Sequence, residues 1–303
     1  MFLNTDLAYE AVGTLKSKTK EFKNYKSIKL IETTVNKELA KEINKKQGDY
    51  YLIDVSNEDL NDSDCLLTVE KFITDVLKKI LRKEKINSKS KGLIVGLGNL
   101  NITPDSLGPK VIDKVIVTRH LFELDKDSIE PGISNISALS PGVMGSTGIE
   151  TSDIIKAIVD KIKVDYVIVV DALKASSINR INKTIQMTNS GISPGSGVGN
   201  TRKELSKETL GIPVIAIGVP TVVDAKSIAI DFFNSLVSND KHKNIFNNYN
   251  CLSPNHQKKI IDELLYSNNS NLIVAPKEID IDIENFSEII SGAIDHAVHE
   301  IKA

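Results

Sequence analysis

Two aspartates carry the clearest chemical signal in this chain. Asp105 lies in Gly92-Leu-Ile-Val-Gly-Leu-Gly-Asn-Leu-Asn-Ile-Thr-Pro-Asp105-Ser-Leu-Gly-Pro109, and Asp171 closes the apolar run Tyr166-Val-Ile-Val-Val-Asp171-Ala-Leu173. Runs of β-branched residues bounded by glycine and proline read as buried parallel strands. Open parallel sheets bind ligands beyond the carboxyl ends of their strands, so acids delivered there by two strands can share one pocket. Carboxylates brought close together do not both ionise easily, and one keeps a proton. The charged member can then activate water while the neutral member polarises a carbonyl, which is hydrolysis with no metal, cofactor or covalent nucleophile. For either aspartate alone, the competing reading is a helix or turn cap.

Other chemistry-bearing residues give weaker patterns. Gly96-Leu-Gly98-Asn lacks the third glycine of a dinucleotide fingerprint. The loop Gly195-Ser-Gly197-Val-Gly199-Asn-Thr-Arg202 lacks the lysine of a phosphate-cradling loop, so turn geometry or the lining of a cleft explains its glycines. Neither Gly195-Ser-Gly nor Gly145-Ser-Thr-Gly has the spacing of a serine-nucleophile elbow. His296 and His299 share a C-terminal helix without metalloprotease spacing and are expected to face solvent. His120 has two readings, a cleft-lining hydrogen-bonding group or a structural imidazole.

The elements that position these residues follow from periodicity. Strands are expected at Ser27–Asn36, Asp49–Val55, Leu93–Gly96, Tyr166–Val170 and Pro213–Gly218, with a short one at Leu272–Ala275. Helices are expected at Glu38–Lys46, from a Ser63-Asp64 cap to about Leu81, and at Ser106–Val117, Ser152–Lys161 and Asp224–Leu236. Two more are expected at Gln257–Tyr266 and Glu284–Ile301, while Thr5–Asn24 is polar and weakly helical and 239–255 reads as a surface loop. Strand–helix alternation from Gly92 to Asp231 argues for one α/β domain whose mostly parallel sheet is covered by helices on both faces.

Composition narrows the class. The chain has 303 residues, enough to bury a full core, and its net charge of -2 offers no footprint for nucleic acid or an anionic membrane. No apolar run approaches the ~20 residues of a bilayer span. Cys65 and Cys251 form no disulfide framework, and Met1-Phe-Leu-Asn-Thr-Asp6 has no basic region followed by an apolar stretch. The expectation is a cytoplasmic protein.

The motifs together resemble the germination proteases of endospore-forming bacteria. The resemblance rests on the Gly96–Pro109 segment, Val117-Thr-Arg-His-Leu121, Pro141-Gly-Val-Met-Gly-Ser-Thr-Gly-Ile-Glu-Thr-Ser-Asp153, Val170-Asp-Ala-Leu173, Ser193-Pro-Gly-Ser-Gly-Val-Gly-Asn200 and Leu210-Gly-Ile-Pro-Val-Ile-Ala-Ile-Gly-Val-Pro-Thr-Val-Val223. It is dense from Gly92 to about Ala225 and weaker at Asn271–Asp280. It implies an endopeptidase of aspartic type that degrades small acid-soluble spore proteins in the spore core. It also implies an α/β fold similar to that of hydrogenase-maturation proteases (phosphorylase/hydrolase-like), a homotetramer, and catalysis by Asp105 and Asp171. Departures are Lys174-Ala-Ser176 where relatives carry Ala-Ala-Arg, Leu100 in place of a tryptophan, and a shorter region after Asp231.

Family substrates are cut after the first glutamate of Thr-Glu-(Phe or Ile)-Ala-Ser-Glu, and family members are zymogens that trim themselves. Thr5-Asp6-Leu7-Ala8-Tyr9-Glu10 resembles that site, which makes Met1–Asp6 a short propeptide cut between Asp6 and Leu7 at an exposed terminus. A helix N-terminus capped by Thr5 is the competing reading. Two further alternatives stay open from the residues: a phosphate- or nucleoside-handling enzyme using the glycine loops with Arg202, and a non-catalytic spore structural protein.

Overall fold

The computed structural model describes residues 5–12, 18–22, 25–125, 129–194, 202–238, 252–253, 256, 259–260, 263 and 272–299. Nine strands among them form one sheet: β1 (Lys18–Phe22), β2 (Tyr25–Val35), β3 (Gly48–Asp54), β4 (Gly92–Gly96), β5 (Ile136–Leu139), β6 (Tyr166–Ala175), β7 (Thr184–Thr188), β8 (Val214–Asp224) and β9 (Ile273–Val274). Their order is β1-β2-β3-β7-β8-β6-β4-β5, with β9 added on β8. The expected parallel arrangement is the half β8-β6-β4-β5. The other half is antiparallel, so the fold is α/β with a mixed sheet.

Helices cover both faces: α1 (Ala8–Val12), α2 (Lys37–Ile43), α3 (Ser63–Lys83), α4 (Leu107–Ile112), α5 (Arg119–Leu124), α6 (Met144–Thr147), α7 (Thr151–Ile162), α8 (Lys207–Leu210), α9 (Ala225–Ser238) and α10 (Ile279–Val298). Successive strand residues point to opposite faces, and β6 shows both. Ile168 and Val170 join Leu77 of α3, Leu107 of α4 and Ile290 of α10 in one core. Val167 and Val169 join Ile155 and Val159 of α7 in a second core on the opposite face. Further along that second face, Leu173 and Ala175 pack with Leu7, Ile31 and Leu52. Among the described residues no helix is long and apolar enough to cross a membrane.

Several local expectations shift. Asp62 caps α3 in place of Ser63-Asp64, its side chain accepting the Asp64 N–H at 3.3 Å. The single helix expected at Ser106–Val117 is the shorter α4, followed by α5. The weakly helical N-terminal stretch becomes α1 and then strand β1. His299 does not face solvent: it is buried, its Nδ1 accepting the Ser134 N–H at 3.1 Å, and burial holds its pKa low. Helical spacing set it beside His296, but the chain leaves the helix at residue 299, which frees its ring to turn inward. Residues 239–251 lie outside the described residues.

The start of α4 packs against β4 with no room between them. A Cβ on Gly108 would lie 2.2 Å from the Leu97 carbonyl oxygen and 2.7 Å from that of Val170. Gly108→Ala must push the helix off the sheet, and overpacking of this kind costs about 1–3 kcal/mol. A Cβ on Gly145 meets nothing within 4 Å. Thermal melting should therefore show a clear loss of stability for Gly108→Ala and almost none for Gly145→Ala; equal melting points would refute the packing argument.

Candidate active site

Asp171 does not end its strand. β6 runs on to Ala175, whereas its neighbour β4 stops at Gly96, opposite Val170. The acid thus stands where the parallel sheet loses a strand, which opens a crevice beside it. By alternation it belongs to the row Val167, Val169, Asp171, Leu173, Ala175, and it is the acid among four buried apolar residues. It is only 7% exposed.

Asp105 reaches the same crevice from the loop after β4. That loop turns at Gly98, whose φ of +115 suits glycine and whose added Cβ would lie 2.0 Å from the Asp105 carbonyl oxygen. The Asn99 N–H donates to that carbonyl at 3.0 Å, and the Thr221 hydroxyl of β8 donates to the Pro104 carbonyl at 2.7 Å. These contacts press the half-buried Asp105 against the open side of β6. Asp105, Asp171 and Arg202 line one cleft of about 480 Å³, with Leu97, Gly142 and Thr151 among its walls.

The electrostatics separate the two acids. Burial raises the pKa of Asp171 well above its ordinary value, and the charges of Asp105 and then Asp6 raise it further. Burial also raises Asp105, opposed by the Asn99 backbone N–H and by the Arg202 guanidinium. Asp171 is therefore the member that keeps its proton, and the more exposed Asp105 is the member that ionises first.

A third acid arrives from the N-terminus. The Asp6 N–H donates to the Lys174 carbonyl at 3.0 Å, and the Asp6 carboxylate accepts the Lys174 N–H at 2.9 Å. Lys45 Nζ donates to the Thr5 carbonyl at 2.7 Å. Gln186 spans the next bond, its Nε2 donating to the Asp6 carbonyl at 3.2 Å and its Oε1 accepting the Ala8 N–H at 2.7 Å. Asp6 and Asp171 together line both the acid cleft and an adjoining polar one of about 340 Å³ that includes Lys45 and Gln186. The expectation of an exposed terminus fails here: Thr5, Leu7 and Ala8 are buried, Leu7 within the core beside Leu173. Apolar side chains at positions 7 and 8 supply the burial that a terminus ordinarily lacks.

Of the other residues marked as site members, the one that is described does not join this constellation. His120 is exposed on α5 and lines neither cleft, because the chain turns after Thr118 and projects the ring outward. Gly195, Gly197 and Gly199 lie outside the described residues. Residues the sequence did not mark as site members, Lys45, Lys174 and Gln186, reach the clefts through long-range pairings; Arg202, marked only for a phosphate site, lines the acid cleft.

The family model described as "Germination protease" matches residues 6–238. The chain belongs to the germination protease family. The germination protease of Clostridium acetobutylicum is 43% identical, over 98% of this chain and 95% of that one. That of Bacillus thuringiensis subsp. konkukian is 39% identical over 98% and 94%, and that of Geobacillus sp. (strain WCH70) 42% over 90% and 83%. Among solved structures, the [NiFe] hydrogenase maturation protease HycI from Thermococcus kodakarensis is 18% identical, covering 72% of this chain and 98% of its own, with a TM-score of 0.34. Membership makes this chain a protease. The regions that carry Asp105, Asp171 and Asp6 all fall within the matched span.

The order of charges around Asp171 is measurable. Asp105→Asn should lower the pKa of Asp171 more than Asp6→Asn does, and Arg202→Met should raise it. Carboxyl carbon NMR titration of Asp171 in the three variants reads this directly. An unmoved Asp171 in Asp105→Asn would mean that the two acids do not share a site.

Proposed function

We infer that this germination protease family member is an endopeptidase that begins the degradation of small acid-soluble spore proteins, and that Asp105 and Asp171 form its catalytic pair. The observation that carries the reading is a buried, proton-retaining Asp171 in one cleft with the more exposed Asp105. In this reading Asp105 takes a proton from water as the water attacks the scissile carbonyl carbon. Asp171 gives its proton to the carbonyl oxygen. The resulting diol collapses as Asp105 returns the proton to the leaving amine and Asp171 regains its own. Arg202 lies in the same cleft and holds Asp105 toward its charged form.

The same reading makes the chain a zymogen that cuts itself between Asp6 and Leu7, in the spore core, as a homotetramer. The N-terminal segment supports the self-cleavage part because Gln186 and Lys174 hold Asp6 by hydrogen bonds in the clefts that Asp171 also lines. A bond held close to its catalytic groups needs little further ordering to react.

Residues that act as a unit are non-additive when removed. Asp105→Asn and Asp171→Asn should each abolish cleavage of a peptide containing Thr-Glu-Ile-Ala-Ser-Glu about as fully as the double variant does, with melting points near wild type. Near-normal cleavage by either single variant would sink the pair. The high-pH limb of the wild-type profile should follow deprotonation of Asp171, because the neutral acid is the proton donor and its pKa is raised.

Self-cleavage is read separately. N-terminal mass analysis of the concentrated, aged chain should find a product beginning at Leu7, and Asp6→Lys should prevent it. A terminus that stays intact in a preparation able to cut the peptide would remove the zymogen from the reading while leaving the endopeptidase.

A further inference from the structure

β7 and β6 both pair with β8, and the same residue is their partner: Gly218 faces Asp171 on one side and Gln186 on the other. Residues paired across neighbouring strands project to the same face. Gln186 and Asp171 therefore rise on one side of the sheet, two strand spacings or ~9.6 Å apart, with the Leu173 side chain lying over Gly218 between them. The other members of that face of β7, Thr184 and Thr188, are polar as well, whereas Ile185 and Met187 enter the opposite core. Asp6, Asp171, Leu173 and Gln186 line one cleft at this point. The Asp6–Leu7 segment runs beside it.

The carboxamide is used at both of its ends. Nε2 donates to the Asp6 carbonyl and Oε1 accepts the Ala8 N–H, so one rigid side-chain group grips the acceptor before the Asp6–Leu7 bond and the donor after it. Gln186 is itself buried. The nearby lysines are committed elsewhere: Lys46 pairs with Glu204 at 2.7 Å, Lys174 approaches Asp224 at 3.8 Å, and Lys45 holds the Thr5 carbonyl.

The geometry points to Gln186 as a further catalytic residue, the neutral donor that holds the scissile carbonyl oxygen in the cleft Asp171 also lines and stabilises the negative charge gathering there. This rests on the endopeptidase reading above and on Asp6–Leu7 as the bond cut. A carbonyl oxygen has two lone pairs, so the Asp6 oxygen can keep its bond to Gln186 while its second lone pair takes the Asp171 proton in the reaction. As water adds to the carbon, the oxygen takes the Asp171 proton and keeps the Gln186 hydrogen bond. Gln186 neither gains nor loses a proton, so the proton count of the aspartate pair is unchanged. A fixed neutral donor also serves at any pH at which the pair is singly protonated.

Three forms of the intact chain test this: wild type, Gln186→Met and Gln186→Glu. The first-order rate at which the Leu7 terminus appears is followed by mass spectrometry across pH, together with melting points. Loss of one oxyanion donor typically costs ~100-fold or more in rate. Gln186→Met should show that loss at every pH with little change in melting point. Gln186→Glu keeps the acceptor for Ala8 but is a donor only when protonated. The titratable groups around that position are Asp6, Lys45 and Lys46, Tyr50, Asp171 and Glu204. Its rate relative to wild type should recover as pH falls, while that of Gln186→Met stays flat.

A purely structural clamp would be damaged equally at all pH values and would lower the melting point of both variants, and that result would overturn the proposal. So would a Gln186→Met chain that matures at the wild-type rate. If wild type itself produces no Leu7 terminus and cuts no peptide copying residues 2–12, the endopeptidase reading fails and this assignment falls with it. Wild-type cleavage with an indifferent Gln186 removes only the assignment.

Discussion

A carboxyl group inside an apolar strand face governs the architecture of this site. Four of the five side chains in the row from Val167 to Ala175 bury hydrocarbon, and Asp171 sits at its centre. Burying a lone carboxylate charge costs far more than burying a neutral acid, so the surroundings hold the proton on. That requirement bears on each neighbour. β4 must stop at Gly96 so that a crevice exists, and the following loop must fold tightly enough for Asp105 to reach it. The second acid remains more exposed and within the influence of Arg202, which keeps the two carboxyls apart in their protonation.

The N-terminal segment meets this site in the way a bound peptide would. Its backbone pairs with that of the buried Lys174 on β6, its carbonyls are taken by Lys45 and Gln186, and Leu7 enters the core next to Leu173. Fully burying a leucine side chain contributes roughly 1.5–3 kcal/mol. Together with the hydrogen bonds this outweighs the disorder a terminus otherwise enjoys. Asp6 adds a third negative group near Asp171 and favours the protonated form further. The segment is thus coupled electrostatically, as well as by contact, to the catalytic acids of the proposed mechanism.

The antiparallel half of the sheet has a role beyond extending the core. β3, β7 and the turn after β7 bring Tyr50, Gln186, Thr188 and Ser190 to the second cleft, a polar lining set against the mostly apolar wall around Leu97, Val143 and Leu173. Ser190 donates to the Tyr50 hydroxyl at 2.8 Å, and Tyr50 donates to the Lys46 carbonyl at 2.9 Å, tying this lining to the loop after α2. The two clefts meet at Asp6, Asp171 and Leu173, where the parallel and antiparallel halves join through β8.

What the sequence determined by itself was local. Continuous apolar, β-branched runs set β4, β6 and β8, spacing set α3, α7 and α10, and the glycines and proline around Asp105 marked a tight loop at a strand end. Those patterns arise from burial over a few consecutive residues, so they can be read without the rest of the chain. The remainder depended on pairings between distant segments. Thr184–Thr188 is too polar on one face to stand out, and only its register with Gly218 sets Gln186 level with Asp171. Lys45 belonged to a lysine-rich helix end, and the direction of its side chain was decided by the Thr5 carbonyl 40 positions away. His120 lay in a motif-like stretch, yet the turn before α5 sent it to solvent, while His299 was drawn inward past the end of α10. Tertiary structure decided these because a side chain's partner is set by which strands and termini meet, and the free energy of that meeting is spread over the whole core.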